Sequence, residues 1–194
     1  MLYQATGQED KCLSIVLSQY KKSNDLGYTL SCFCTEHFEL GQPEEVLPVS
    51  CQLSGSWKLR DSSTDNSYSL PIGSAGGPPG KGSFGSNPQW SIRVPTDGLR
   101  IQIRAMAAKE IPINIILARG KPGSSDQKSQ RIHHLYEDPI LDTGAYRHGF
   151  TVSESIYIPV GFYTLVVSTF VPGQIGKFLV HAFSSKELCI SGID

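Results

Sequence analysis

The sequence predicts an all-β chain folded as an antiparallel β-sandwich of about eight strands. Three observations predict it. The dominant hydrophobic period is two residues, turn-forming residues are frequent with 19 Gly and 12 Pro, and no stretch repeats its apolar residues at helical spacing. At 194 residues the chain fits one large β domain, 1–194, with long loops at about 60–87 and 119–140 and a short C-terminal tail. A formal net charge of -1 excludes wholesale nucleic-acid binding, so any basic site must be local.

Taken in order, Leu13, Ile15 and Leu17 alternate with polar or opposite-facing neighbours. Beyond Ser23-Asn24-Asp25, a second run puts Tyr28, Leu30, Cys32 and Cys34 on one face, so the chain opens with a hairpin. A third strand is expected at Val49–Trp57, before a Ser/Gly/Pro-rich loop that is too flexible to propagate a ladder. Trp90, Ile92 and Val94, the turn Pro95-Thr96-Asp97-Gly98, and Leu99, Ile101, Ile103 and Ala105 read as the clearest hairpin. The run from Ile111 to Ala118 is nearly all apolar, as a strand buried on both faces would be. Three more strands follow: Phe150 to Ile158, Phe162 to Phe170 and Lys177 to Phe183, with turns at Pro159–Gly161 and Pro172–Gln174.

Several chemistries can be tested against the residues. The Gly-rich run is no phosphate loop: Lys81 is followed by Gly82, the position five before Gly80 is Ala75, and no helix is expected to follow. Cys32 and Cys34 point the same way, but they share a face with Tyr28 and Leu30, which makes it a core face rather than a zinc site. Adjacent His133 and His134 diverge in an extended chain; with Glu137, Asp138 and Asp142 they read as a solvated loop, and no metal or cofactor is expected. Each of the five cysteines (Cys12, Cys32, Cys34, Cys51, Cys189) falls in a β-like segment without a helix start to lower its pKa, and they read as reduced thiols. His148 and His181 read as structural, and no catalytic constellation emerges. Neither a signal peptide nor a membrane span is evident, which points to a cytoplasmic setting.

The one charge asymmetry is basic, between Arg93 and Arg131. If the Asp97-Gly98 hairpin keeps its apolar residues together, Arg93, Arg100 and Arg104 emerge side by side on the opposite face. That face is either simply solvated or answered by an acidic partner, a carboxylate or a phosphate.

A set of motifs carries a family resemblance. Gly55-Ser56-Trp57, Ser74-Ala75-Gly76-Gly77 and Asn87-Pro88-Gln89-Trp90 resemble, in the right order, the start of the C2-like domain that follows the protease core of calpains. Tyr146-Arg147 with Gly149-Phe150, Ile158-Pro159 with Gly161, and Ser168-Thr169-Phe170 through Pro172, Gln174, Gly176 and Phe178 resemble the distal such domain of the calpain-7/PalB branch. Leu17-Ser18-Gln19-Tyr20 adds to it, so the likeness runs from about Cys12 to Phe183. The resemblance implies a non-catalytic C2-like regulatory domain of an intracellular cysteine protease, acting in ambient pH signalling near endosomal assemblies. Its partner would be the parent protease core, the substrate or an endosomal assembly, and the alternative is a peripheral module that binds acidic phospholipids through the arginines. Calcium regulation does not carry over, because one carboxylate in Pro95-Thr96-Asp97-Gly98 cannot assemble a hard-cation site.

Overall fold

The computed structural model describes residues 47–58, 73–95, 97–121 and 129–193, besides Thr35. The expected N-terminal hairpin, with Cys12, Cys32 and Cys34, lies outside the described residues. The described strands belong to one compact unit, Leu47–Asp194. They are β1 (Val49–Trp57), β2 (Gln89–Val94), β3 (Leu99–Ala107), β4 (Pro112–Arg119), β5 (Leu141–Asp142) and β6 (Arg147–His148), followed by β7 (Phe150–Val152), β8 (Ile156–Ile158), β9 (Gly161–Thr169), β10 (Gly176–Ser184) and β11 (Cys189–Ile193).

Two antiparallel sheets form a sandwich. Sheet I has the order β1-β10-β3, with β7 and β8 lying one after the other along the free side of β3. Sheet II has the order β11-β2-β9-β4, with β5 and β6 sharing the outer side of β4. Alternation sets the core: Ile101, Ile103 and Ala105 of β3 meet Ile113, Ile115 and Leu117 of β4 and Leu165 and Val167 of β9 between the sheets. The expected strand at Val49–Trp57 matches β1. β4 is buried from Ile113 to Ala118 on both faces, as its unbroken apolar run predicts.

Three expectations need correction. β2 and β3 are not a hairpin. The segment Pro95–Gly98 carries the chain from sheet II to sheet I, so β2 pairs β9 and β11 while β3 pairs β10, β7 and β8. Alternation fixes only that two apolar faces must be buried; two strands satisfy it by facing each other across a sandwich as well as by lying side by side. The run from Phe150 to Ile158 is two strands, because Ser153 breaks the ladder: its Oγ accepts the Ile103 N–H at 2.9 Å in place of a strand carbonyl. Finally, the C-terminal residues are no tail but β11, with Ile190 paired to Ile92 and packed on the core.

Most of the family-motif residues gather at one end of this frame, and Gly161 lies at the other. Asn87, fully buried, takes the Gly76 N–H on its Oδ1 and donates from Nδ2 to the carbonyls of Gly77 and Phe84, all at 2.9 Å. Gly76 passes so close to the Ser83 carbonyl that a Cβ would overlap it, and Gly77 turns with φ +78° against the Pro172 ring. Pro88 opens β2, where its carbonyl accepts from Val167 N–H at 3.2 Å. Trp57 is fully buried, its ring 4.3 Å from that of Phe178, while half-buried Trp90 meets the same ring edge-on at 5.8 Å. Gly149 joins β6 to β7 through backbone bonds to Ile111 and Ala107, Phe150 pairs Met106, and Gly161 opens β9 opposite Val94.

Candidate functional site

The altered topology separates the three arginines. Arg93 is exposed on the outer face of sheet II, opposite Cys189 and Phe162. Arg100 and Arg104 stand on the outer face of sheet I, so they remain together and Arg93 does not join them. Each arginine points away from the core, as parity requires; only their clustering depended on the hairpin.

Arg104 is half-buried and held in place. Its guanidinium lies over the Phe183 ring, 4.5 Å from the centroid, and Nη2 donates to His181 Nδ1 at 3.2 Å. A guanidinium can only donate, so Nδ1 must be the acceptor and the imidazole is neutral with its proton on Nε2. Burial, followed by the adjacent guanidinium, holds the His181 pKa below its ordinary value. Arg104 Nε and His181 Nε2 are enclosed with no hydrogen-bond partner among the described residues. Around this pair, half-buried Leu179, Met106, Phe150, Val152 and Phe183 complete an outer face of mixed apolar and cationic character. A shallow depression runs off it between Ser54, Ser56, Met106, Lys177 and Leu179.

On sheet II the outer face is covered over β9 and β4, leaving Arg93 exposed near the end of β2. The 3-10 turn Phe84–Ser86 and residues 129–135 cross it, and Phe84, Ile116, Ala118 and Val166 form a second small core with Ile132 and Leu135. Within the described part of the expected 119–140 loop, Ser129, Ile132 and Leu135 pack down on the sheet, while His133, His134, Glu137 and Asp138 stay exposed. Ser129 donates from its backbone to Ser91 Oγ at 2.7 Å, and the Gln89 amide bonds both the N–H and the carbonyl of Ile132. Arg131 donates to the carbonyls of Gly85, Asn87 and Ile193, tying three segments together. At one edge, Tyr146 meets Ser168 Oγ at 2.7 Å, and burial pushes its hydroxyl pKa up to about 12. Nothing in the sequence marks Arg131 or Tyr146 for these roles, since both depend on where a loop lands.

The thiols and imidazoles among the described residues are dispersed. Cys51 sits half-buried in β1 opposite Ala182, and Cys189 is exposed at the start of β11. His133 and His134 are exposed on the loop across sheet II, and His148 Nδ1 lies 3.2 Å from the Lys109 carbonyl. Among the described residues, no group of three His, Cys, Asp or Glu side chains could hold a metal ion. No helix among the described residues is long and apolar enough to cross a membrane. Phe170, expected as a structural motif residue, is 58% exposed.

No family profile matches the chain. Known proteins do. A calpain-like protease palB/RIM13 of Cryptococcus neoformans var. neoformans serotype D is 30% identical over 185 residues, which is 92% of this chain and 20% of that protein. Calpain-7 of Sus scrofa is 27% identical over 174 residues, 86% of this chain and 18% of its own length. Serine/threonine-protein kinase 4 homolog B of Dictyostelium discoideum is 32% identical over 117 residues, 59% of this chain and 10% of the kinase. The chain thus spans about one fifth of the length of the protease relatives it matches. It is a homologue of calpain-like proteases of the palB/RIM13 and calpain-7 type.

Proposed function

We propose that the chain is a non-catalytic, C-terminal C2-like interaction domain of a calpain-like cysteine endopeptidase, one that positions the protease or its substrate. The observation that carries this reading is the coverage: nearly all of this chain corresponds to only a fifth of each protease. The kinase relative supports it too, since a similar segment stands in a protein named for different chemistry. In this reading the parent works in the cytoplasm, in association with endosomes, in ambient pH signalling.

The outer face of sheet I is the surface proposed to meet the partner. It joins half-buried apolar side chains to the cations Arg100 and Arg104, a combination that suits a carboxylate-bearing protein segment. The test is capture of the parent's remaining domains by this chain across a salt series, with Arg100→Gln/Arg104→Gln beside the original. Salt-sensitive capture lost in the double variant is the expected result. Undiminished capture removes the assignment to this face, and peptide hydrolysis by the isolated chain that a Cys51→Ala or Cys189→Ala change abolishes overturns the non-catalytic reading.

A further inference from the structure

We propose that β1 is a self-association edge: two copies of the chain pair antiparallel along this strand, about a two-fold axis at Gln52, so that their sheets I run on as one. The proposal does not rest on the capture of a protein partner described above.

The edge of a sheet carries unpaired N–H and C=O groups, and folded chains ordinarily blunt it with short strands, breaks, prolines or charges. Two edges of this sandwich follow that rule. The far side of β3 is lined by β7 and β8, three residues each, with the break at Ser153 between them, and the outer side of β4 by the two-residue β5 and β6. The opposite edge of sheet I does not. β1 runs for nine residues in unbroken register with β10 and contains neither a proline nor a charged residue. Its other side has no partner strand among the described residues.

The hydrogen bonds fix which groups face that open side. The Arg100 N–H and C=O both bond Ser185, on the β10 side of β3, while those of Ile103 bond Ser153 on the other side. In a strand the main-chain groups of successive residues point in opposite directions. Carried through β10, this alternation leaves the N–H and C=O of Ser50, Gln52 and Ser54 pointing away from the sheet. The end of β1 agrees: the Ser56 carbonyl accepts from Ser74 Oγ at 3.4 Å, and Lys58 donates to that Oγ and accepts from the Ser74 N–H.

A second copy fits this edge better than an unrelated strand, because the open stretch is symmetric about its centre. With Gln52 opposite the Gln52 of the copy, Ser50 falls opposite Ser54, and every open N–H meets a C=O. The ladder stops at both ends for the same reason. Pro48, which has no N–H to give, falls opposite Ser56, whose carbonyl already accepts from Ser74. On the outer face the exposed Gln52 side chain meets its own counterpart, amide to amide, with no charge to repel it. On the inner face half-buried Cys51 and Leu53 meet each other across the axis and cover apolar surface that the edge leaves open. The axis stands perpendicular to the sheet, so both copies present the Arg104–His181 pair on the same side of the dimer.

The test is sedimentation equilibrium of the whole chain from about 1 μM to about 1 mM, because pairing through one strand buries little area and is weak. A reversible monomer–dimer equilibrium is expected. Gln52→Pro removes an N–H that faces the open side and should weaken association at least roughly tenfold. Gln52→Lys and Gln52→Glu each set like charges face to face on the axis and should weaken it about two- to fivefold at low salt. An equimolar mixture of these two variants should form a heterodimer at least as tight as the original pair. Gln52 is exposed, so an unchanged melting temperature of the dilute variants confirms that they fold. Recovery on mixing is the sharpest readout, since it needs a register that sets residue 52 against itself. A chain that stays monomeric throughout the range overturns the proposal and leaves the sheet I reading standing. So does dimerisation that Gln52→Pro leaves at full strength, which places the contact elsewhere. A Lys and Glu mixture no tighter than either variant alone overturns it as well, because β1 then pairs in another register or with another segment.

Discussion

The two outer faces of the sandwich are built from the same alternating strands and end in opposite conditions. Sheet II is roofed by the Phe84 turn and residues 129–135, which supply a second apolar cluster and hydrogen-bond the sheet's polar side chains. Sheet I has no such roof among the described residues; its centre is an arginine laid over a phenylalanine beside a neutral histidine. The outward positions of the strands already differ. On β4 they are Asn114, Ile116 and Ala118, all buried, whereas on β3 they are Arg100, Gln102 and Arg104. An unbroken apolar strand signals a face that something will cover, and a strictly alternating one signals a face that is left for solvent or a partner.

The largest consequence is in stability. Phe84 is fully buried in the roof, so Phe84→Ala should cost about 3–5 kcal/mol, whereas Phe183→Ala on the open face should cost about 1 kcal/mol because half-buried rings leave no closed cavity. Urea midpoints of the two variants measure this. Equal losses would mean that the open face is as tightly packed as the roofed one.

How much of this was legible in the sequence follows the same division. β1 and β4 fall where alternation and apolar runs put them, and the apolar partners within each strand are right, because periodicity is a local property. Which sheet a strand joins is not local. Pro95–Gly98 looks like a hairpin turn and acts as a crossing between layers, and that single difference moved Arg93 away from Arg100 and Arg104. The paired glycines Gly76 and Gly77 suit the tight backbone passage that they make, but the bonding of Asn87 to them from ten or eleven residues along the chain is a tertiary contact that its residue type does not signal. Arg131 gave no such signal. In sequence it is one more basic residue in a polar loop, and its carbonyl acceptors, Gly85 and Asn87 on one segment and Ile193 on another, lie far from it along the chain. β11 was missed because five residues with a central Ser-Gly carry too little pattern to distinguish a strand from a tail.

Alkali should weaken the roofed side. Tyr146 is held neutral by burial at the edge of sheet II, with its pKa pushed up from 10.0 to about 12. The unfolded chain therefore releases that proton first, and the tyrosine's contribution, complete below pH 10, is lost as pH rises towards 12. The side chain is partly open to solvent, which screens some of the effect, so the loss should be about 1–2 kcal/mol. Comparison with Tyr146→Phe isolates it from the other groups that titrate in the same range. The original chain should lose stability relative to the variant between pH 10 and 12, by urea denaturation, and parallel curves would place the hydroxyl in contact with water.

Acid should weaken the open side, by less. The His181 pKa lies below 6.5 because burial disfavours the imidazolium and the Arg104 guanidinium repels it. Below that pH the unfolded chain takes up a proton that the folded chain refuses, so the contribution of neutral His181 is present above 6.5 and lost as pH falls beneath it. Protonation also removes the Nδ1 lone pair that accepts from Arg104 Nη2 and leaves two cations side by side over Phe183. His181→Gln should flatten the acid slope of stability, while Arg104→Gln should reduce it by raising the imidazole pKa part of the way back. The face is open enough for solvent to screen much of the repulsion, so the change should stay below about 1 kcal/mol. Imidazole chemical shifts followed across the titration report the pKa directly. A His181 that titrates at or above 6.5, or one indifferent to Arg104→Gln, would show that the two side chains are not in contact in solution.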